Sequence, residues 1–166
     1  MADIALRHGW SPGLLGWIIA EHGRYYEREW RLGPVFEAKV AQGLGELVAR
    51  LDPARDMLLA ATDGDTVVGA VAVDGSGPDA AAQGARLRYF ILSDAVRGRG
   101  VGRLLLGETM RFIARAGFER AWLTTFAGLD AARHLYETHG FRLAHEELDA
   151  SWGSPLTEQR FEWTRP

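Results

Sequence analysis

The apolar positions change their spacing along the chain, and each change marks an element. Residues 3–8 read as a short first strand closed by Gly9. Ser11 and Pro12 then offer an N-cap and a first-turn proline, which predict a helix over 12–22. After the Gly33-Pro34 break, Phe36, Val40, Leu44, Leu47, Val48 and Leu51 recur at helical spacing and predict a second helix over 35–51, ended by Asp52-Pro53. Two runs of small and β-branched residues, 57–62 and 66–74, are joined by Asp63-Gly64-Asp65, a hairpin signal. Residues 75–85 read as a flexible polar loop. A strand at 86–92 enters a glycine-rich turn, and a helix over 100–116 follows with Val101, Leu105, Phe112 and Ile113 on one face, stopped by Gly117. A strand at 119–126, a helix at 130–139 and strands at 141–149 and 158–164 complete the pattern. The order is β-α-α-β-β-β-α-β-α-β-β, without internal repeats. Strands and helices alternate in the middle while antiparallel hairpins flank them, so the expected fold is α/β, a mixed central sheet with helices on both faces.

The turn between strand 86–92 and its helix is where this pattern points to chemistry. In LRYFILSDAVRGRGVGR, residues 87–103, a strand runs through glycines directly onto a helix. First-turn amides have no intrahelical partners and carry partial positive charge, so they can grip a phosphate. A side chain at Gly98, Gly100 or Gly102 would hold the backbone away from such an anion. Arg99 and Arg103 add charge at the rim. A tight turn with no ligand would use the same glycines. Other phosphate motifs fit poorly: G-x-x-x-x-G-K-[ST] is absent, and Arg103 stands where the third glycine of G-x-G-x-x-G belongs.

Composition narrows the function classes. At 166 residues, 47% apolar and 25% charged, the chain suits one globular domain spanning 1–166. A net charge of -3 argues against nucleic acid as a partner and suits a cationic substrate. With no cysteine, disulfides, thiolate metal ligands and a cysteine acyl-enzyme are excluded. The longest apolar run, 13–20, is far shorter than the roughly 20 residues a membrane span requires, and no basic segment precedes it. No membrane association and a cytoplasmic location are therefore expected. His134 and His139 do not make H-E-x-x-H, so no metal is expected, and Gly75-Ser76-Gly77 lacks the G-x-S-x-G elbow of a hydrolase.

Arg97, Gly100 and Gly102, in the order R-x-x-G-x-G, resemble the pantetheine-pyrophosphate loop of the GNAT N-acetyltransferase superfamily. AARHLYETHGF, residues 131–141, is similar to that superfamily's short helix before a Gly-Phe pair, and the element order matches along almost the whole chain. HGRYYEREW at 22–30, AARHLYETHGF and the ending SWGSPLTEQRFEW together resemble the acetyltransferase half of MarR–GNAT fusion proteins, so no DNA-binding domain is expected. The resemblance implies an enzyme that takes acetyl-CoA as co-substrate and transfers the acetyl group directly to a primary amine of a small molecule or peptide. It implies that Ile91, Leu92, Arg97, Gly98, Arg99, Gly100, Val101, Gly102 and Arg103 hold the acetyl-CoA. The Leu92 amide, beside a bulge that splays two strands, would serve the thioester oxygen. Tyr136 would act as general acid toward the leaving thiolate, a phenol of pKa about 10 being able to donate.

Two features depart from the superfamily. Residues 86–92 lack its central-strand glutamate, and Leu129 and Asp130 stand where many members carry an asparagine. The base must come from elsewhere. Residues 22–30 fall in the part that usually walls the acceptor pocket of the superfamily, so the resemblance implies acceptor contacts from His22, Tyr26 and Glu29, with Glu29 as base; the three follow an i, i+4, i+7 spacing and share one face if the helix continues through Gly23. A solvated helix end reads equally well from the same residues. The departures also motivate an alternative function, a non-catalytic acyl-CoA-binding or interaction module. A homodimer is compatible with the superfamily, though no residue pattern here demands one.

Overall fold

The structure, a computed structural model, describes residues 3–166. Its elements run β1 (Ile4–His8), α1 (Leu14–Trp30), α2 (Gly33–Ala49), β2 (Met57–Asp63), β3 (Thr66–Asp74), α3 (Ala80–Gln83), β4 (Ala85–Leu92), α4 (Val101–Arg115), β5 (Arg120–Phe126), α5 (Asp130–Thr138), β6 (Arg142–Asp149) and β7 (Leu156–Thr164). The seven strands form one sheet in the order β1-β2-β3-β4-β5-β7-β6. Every neighbouring pair is antiparallel except β4 with β5. The expected mixed α/β sheet with helices on both faces is observed, with the short α3 added. Among the described residues no helix is long and apolar enough to cross a membrane.

Period-2 alternation assigns the two faces. Met57, Leu59 and Ala61 of β2 pack with Leu105, Leu106 and Ile113 of α4, whereas Leu58 and Ala60 pack with Leu14 and Ile18 of α1 and Leu44 and Leu47 of α2. β3 is buried on both faces in the same way. β4 begins in step, with Ala85 and Leu87 on the α4 side. A bulge then breaks the rhythm. Ala70 pairs with Ile91 but Ala72 pairs with Arg88, so Tyr89 and Phe90 together face one residue of β3, and Tyr89 adopts a left-handed φ of 56°. Past the bulge Ile91 joins the α1/α2 core while Phe90 and Leu92 lie against the α4 core. One extra residue has exchanged the faces.

The bulged half of β4 also leaves its parallel neighbour. β4 and β5 pair only at Ala85–Ala121 and Arg86–Trp122 and then diverge, opening the sheet at its centre.

Three local expectations are corrected. Ser11 does not cap α1: the Leu14 amide closes a turn on the Ser11 carbonyl at 3.1 Å, Gly13 takes the cap position at φ 87°, and the helix starts beyond Pro12. α1 runs on through Gly23 to Trp30, with the flexible Glu37 side chain of α2 lying where a Cβ would point. The loop at 75–85 is pinned: buried Asp56 accepts the amides of Gly75 at 2.8 Å and Ser76 at 2.9 Å.

Candidate active site

The opening between β4 and β5 holds two cavities, one toward each face of the sheet. The larger, about 350 Å³, lies between the glycine-rich turn, the bulged end of β4 and α5. Gly98 and Gly100 are left-handed, at φ 73° and 83°. The first backbone bond of α4 runs from the Leu104 amide to the Gly100 carbonyl at 3.1 Å, which leaves the Val101, Gly102 and Arg103 amides at the helix start without an intrahelical acceptor. Gly102 serves packing instead: a Cβ there would come within 3.0 Å of Leu135 Cδ1 and 3.3 Å of Leu92 Cδ1, so its absence lets α4 sit against β4 and α5.

Ile91, Leu92, Arg97, Gly98, Gly100, Gly102 and Arg103 all line this cavity. Arg99 and Val101 do not. Arg99 turns back to donate to the Ala95 carbonyl at 3.3 Å, and the Val101 side chain is buried in the core. Arg97 is held by three neighbours. Its Nε donates to Asp94 Oδ1 at 3.0 Å, a terminal nitrogen donates to the Leu92 carbonyl at 2.9 Å, and its guanidinium lies 4.3 Å from the centre of the Tyr25 ring. Asp94 is paired in turn with Arg28 at 2.9 Å, tying the turn to α1 and holding the Asp94 carboxyl below its usual range.

The Leu92 amide has a definite direction. Ser93 N–H donates to the Val68 carbonyl at 2.9 Å, and amides alternate sides along an antiparallel pair. The Leu92 N–H therefore points away from β3, into the opening.

The smaller cavity, about 120 Å³, lies on the α1/α2 side. Tyr26, Phe90, Thr125 and Tyr136 line both cavities and form the wall where they meet. Tyr136 is only 6% exposed, packed among Phe90, Phe141 and Phe161, and burial pushes its phenol far above the usual tyrosine range. Tyr26 is shifted the same way for the same reason. His22 lines the smaller cavity and stacks on Tyr26 with ring centres 6.1 Å apart. Its Nδ1 lies 2.8 Å from the Ile18 carbonyl. A carbonyl only accepts, so Nδ1 carries the proton, while burial lowers the imidazole pKa to about 4 and keeps the ring neutral.

Glu29 is not brought to either cavity. It sits exposed in the last turn of α1, accepting from Arg28 Nε at 2.9 Å. The one carboxylate lining either cavity, among the described residues, is Glu158 of β7. It accepts from Trp152 Nε1 at 3.1 Å, and burial raises its pKa above the ordinary 4.5.

Sequence reading also missed Arg86, which lines the same cavity. The signal was present as two arginines, 86 and 88, two apart in an otherwise apolar strand. Arg88 is neutralised by Asp74 at 3.3 Å, a carboxylate that Arg50 also holds at 2.7 Å. Arg86 instead lies 4.5 Å over the Trp122 ring, bonds Thr124 Oγ1 at 3.4 Å, and keeps a buried Nε with no partner.

The sequence profile of the acetyltransferase (GNAT) family matches residues 18–141. No curated protein matches the chain significantly. Among solved structures it is similar to a ribosomal-protein-alanine N-acetyltransferase from Brucella melitensis, with TM-score 0.75, 19% identity and coverage of 97% of this chain and 99% of that one. A Salmonella typhimurium protein assigned as an acetyltransferase, solved with its cofactor acetyl-CoA, gives TM-score 0.74 at 14% identity, covering 98% of this chain and 94% of that one. A GNAT-family acetyltransferase from Staphylococcus aureus gives TM-score 0.72 at 12% identity, with 98% and 99% covered. At such identities these likenesses concern the fold.

Proposed function

The chain belongs to the acetyltransferase (GNAT) family, and from that premise we propose that it transfers an acetyl group from acetyl-CoA directly to a primary amine of a small molecule or peptide. One observation carries the reading: two cavities, one beside the glycine-rich start of α4 and the other a largely aromatic space that holds Arg86 and Glu158, meet at Tyr136 through the parted strands β4 and β5. The larger cavity fits an acyl carrier with a diphosphate, since left-handed glycines and the first amides of α4 make an anion cradle with Arg97 and Arg103 at its edge. Acetyl-CoA supplies the acetyl group as a thioester. The Leu92 N–H faces the gap and can stabilise charge developing on the thioester oxygen. Tyr136 O–H donates to the leaving sulfur. Glu158, rather than Glu29, takes a proton from the amine, because among the described residues it alone offers a carboxylate to the cavities. The likeness to the acetyltransferase half of MarR–GNAT fusions fits this reading, since Trp152 and Glu158 both come from the SWGSPLTEQRFEW segment.

The direct test is thiol release from acetyl-CoA in the presence of an amine panel. The protein contains no cysteine, so every thiol detected comes from CoA. Turnover that depends on the amine supports the proposal; CoA binding with no thiol release from any amine would return the chain to the binding-module alternative.

Two further results are expected. Gly100→Val should weaken acetyl-CoA binding at least 10-fold by calorimetry, because a left-handed backbone costs an ordinary residue about 1–2 kcal/mol and a β-branched one more. On the pH axis, Glu158 must be ionised to accept a proton, so kcat/KM should fall as pH drops through a midpoint above 4.5. On the alkaline side Tyr136 stays protonated past the ordinary value of 10.0, so no descending limb should appear below it.

A further inference from the structure

Charge is unevenly satisfied around the smaller cavity. Arg88 shares Asp74 with Arg50, and Arg160, on the same face of β7, is paired with Glu162 at 2.8 Å. Arg86 alone among these cations has no carboxylate within ion-pairing distance, and its buried Nε has no hydrogen-bond partner. Burial lowers its pKa and the neighbouring Arg88 adds to the shift, while Glu158 across the cavity acts on it the other way without an ion-pair contact. A buried guanidinium with an unused donor and no ion-pair partner is costly, and an oxyanion entering the cavity beside Arg86 would supply the missing charge.

The position of Arg86 says where that oxyanion sits. β4 carries Arg86 on the α1/α2 side because Ala85 and Leu87 take the other face, and its strand partner Trp122 stacks under the guanidinium and fixes the direction. Glu158 lines the same cavity from β7, next to Phe126 in register. A cation and an anion thus face one small space while remaining apart. The complement of that arrangement is a molecule with charges of the opposite order.

Resting on the acetyl-transfer reading above, we infer that the acceptor is a small amino acid, whose carboxylate pairs with Arg86 while its ammonium is presented to Glu158. A polyamine or an amino-sugar supplies the ammonium but leaves Arg86 unpaired. Chemically, the ammonium loses two protons as its nitrogen forms the amide bond and the carbon–sulfur bond breaks. One passes through Glu158 to solvent, and the other ends on the leaving sulfur, whose developing charge the Tyr136 O–H hydrogen-bonds. Products are the N-acetyl amino acid, CoA thiol and one released proton.

The experiment compares matched acceptors on the unaltered protein. Thiol release is measured with the common L-amino acids and short ω-amino acids, each beside its own carboxamide, and with spermidine and glucosamine as controls. At least one carboxylate-bearing amine should exceed its carboxamide in kcat/KM by about 100-fold, the usual scale for leaving a buried charge unpaired. Arg86→Gln should erase that difference by raising KM for the carboxylate form with little change for the carboxamide, and Arg86→Lys should restore part of it. Carboxamides, spermidine or glucosamine used as well as amino acids would overturn the inference while leaving amine acetylation standing. Thiol release from no amine at all would remove both.

Discussion

Tyr136→Phe should lower kcat at saturating acetyl-CoA by about 100-fold, the lower end of what a positioned general acid supplies. The substitution removes one hydroxyl and keeps the ring that packs among Phe90, Phe141 and Phe161, so folding and CoA affinity should stay close to those of the parent. The lower end is the appropriate expectation because burial raises the phenol pKa, while an ordinary thiol ionises near about 8.5. Full proton transfer from phenol to thiolate is therefore uphill, and the benefit lies in hydrogen bonding to charge as it develops on sulfur. Steady-state turnover, with CoA affinity measured separately, checks this. A variant with unchanged kcat would show that Tyr136 only fills space.

His22 should dominate the loss of stability in mild acid. Its pKa falls from 6.5 in the unfolded chain to about 4 in the folded one, because the ring is buried against Tyr26, Phe36 and Tyr89. The unfolded state then takes up a proton first as pH falls. Its contribution is complete above pH 6.5 and disappears progressively down to about pH 4, roughly 3 kcal/mol in all at about 1.4 kcal/mol per pH unit. Carboxylates held low by cationic partners, such as Asp74 and Glu108, begin to act only below their unfolded values of 3.8 and 4.5, which leaves the window from 4.5 to 6.5 largely to His22. Glu158 works in the opposite sense, since a raised carboxyl pKa favours the folded state as pH drops. Urea midpoints at several pH values should shift accordingly. His22→Gln, which keeps an N–H for the Ile18 carbonyl without titrating, should flatten the dependence. An equal slope in that variant would assign the acid sensitivity elsewhere.

Element order and the glycine-rich turn before α4 were legible because they depend on neighbours in the chain. Phe36, Val40, Leu44 and Leu47 recur at helical spacing and are the buried face of α2. The turn before α4 carries left-handed glycines where the spacing suggested a phosphate grip. Misreadings arose where a distant segment intervened. Gly23 looked like a helix stop, yet α1 continues through it to Trp30 because its buried face, Leu14, Ile18 and His22, packs on the sheet and α2. Glu29 met the spacing rule, yet helical spacing says which residues share a face and not where that face ends relative to a cavity.

Local periodicity alone thus determined the order of elements and the glycine-rich start of α4, since hydrogen bonds within four residues and alternation of faces are properties of a short stretch. What tertiary structure decided was which side chains share a space. Arg86 and Glu158 are brought to one cavity only because β4 pairs with β5, β5 pairs with β7, and Phe126 falls opposite Glu158. The bulge at Tyr89 then sends Leu92 to the other side of the sheet from Arg86 and Arg88. Register between strands is set by the packing of the entire core, and a one-residue slip reverses every face, so no single segment carries that information.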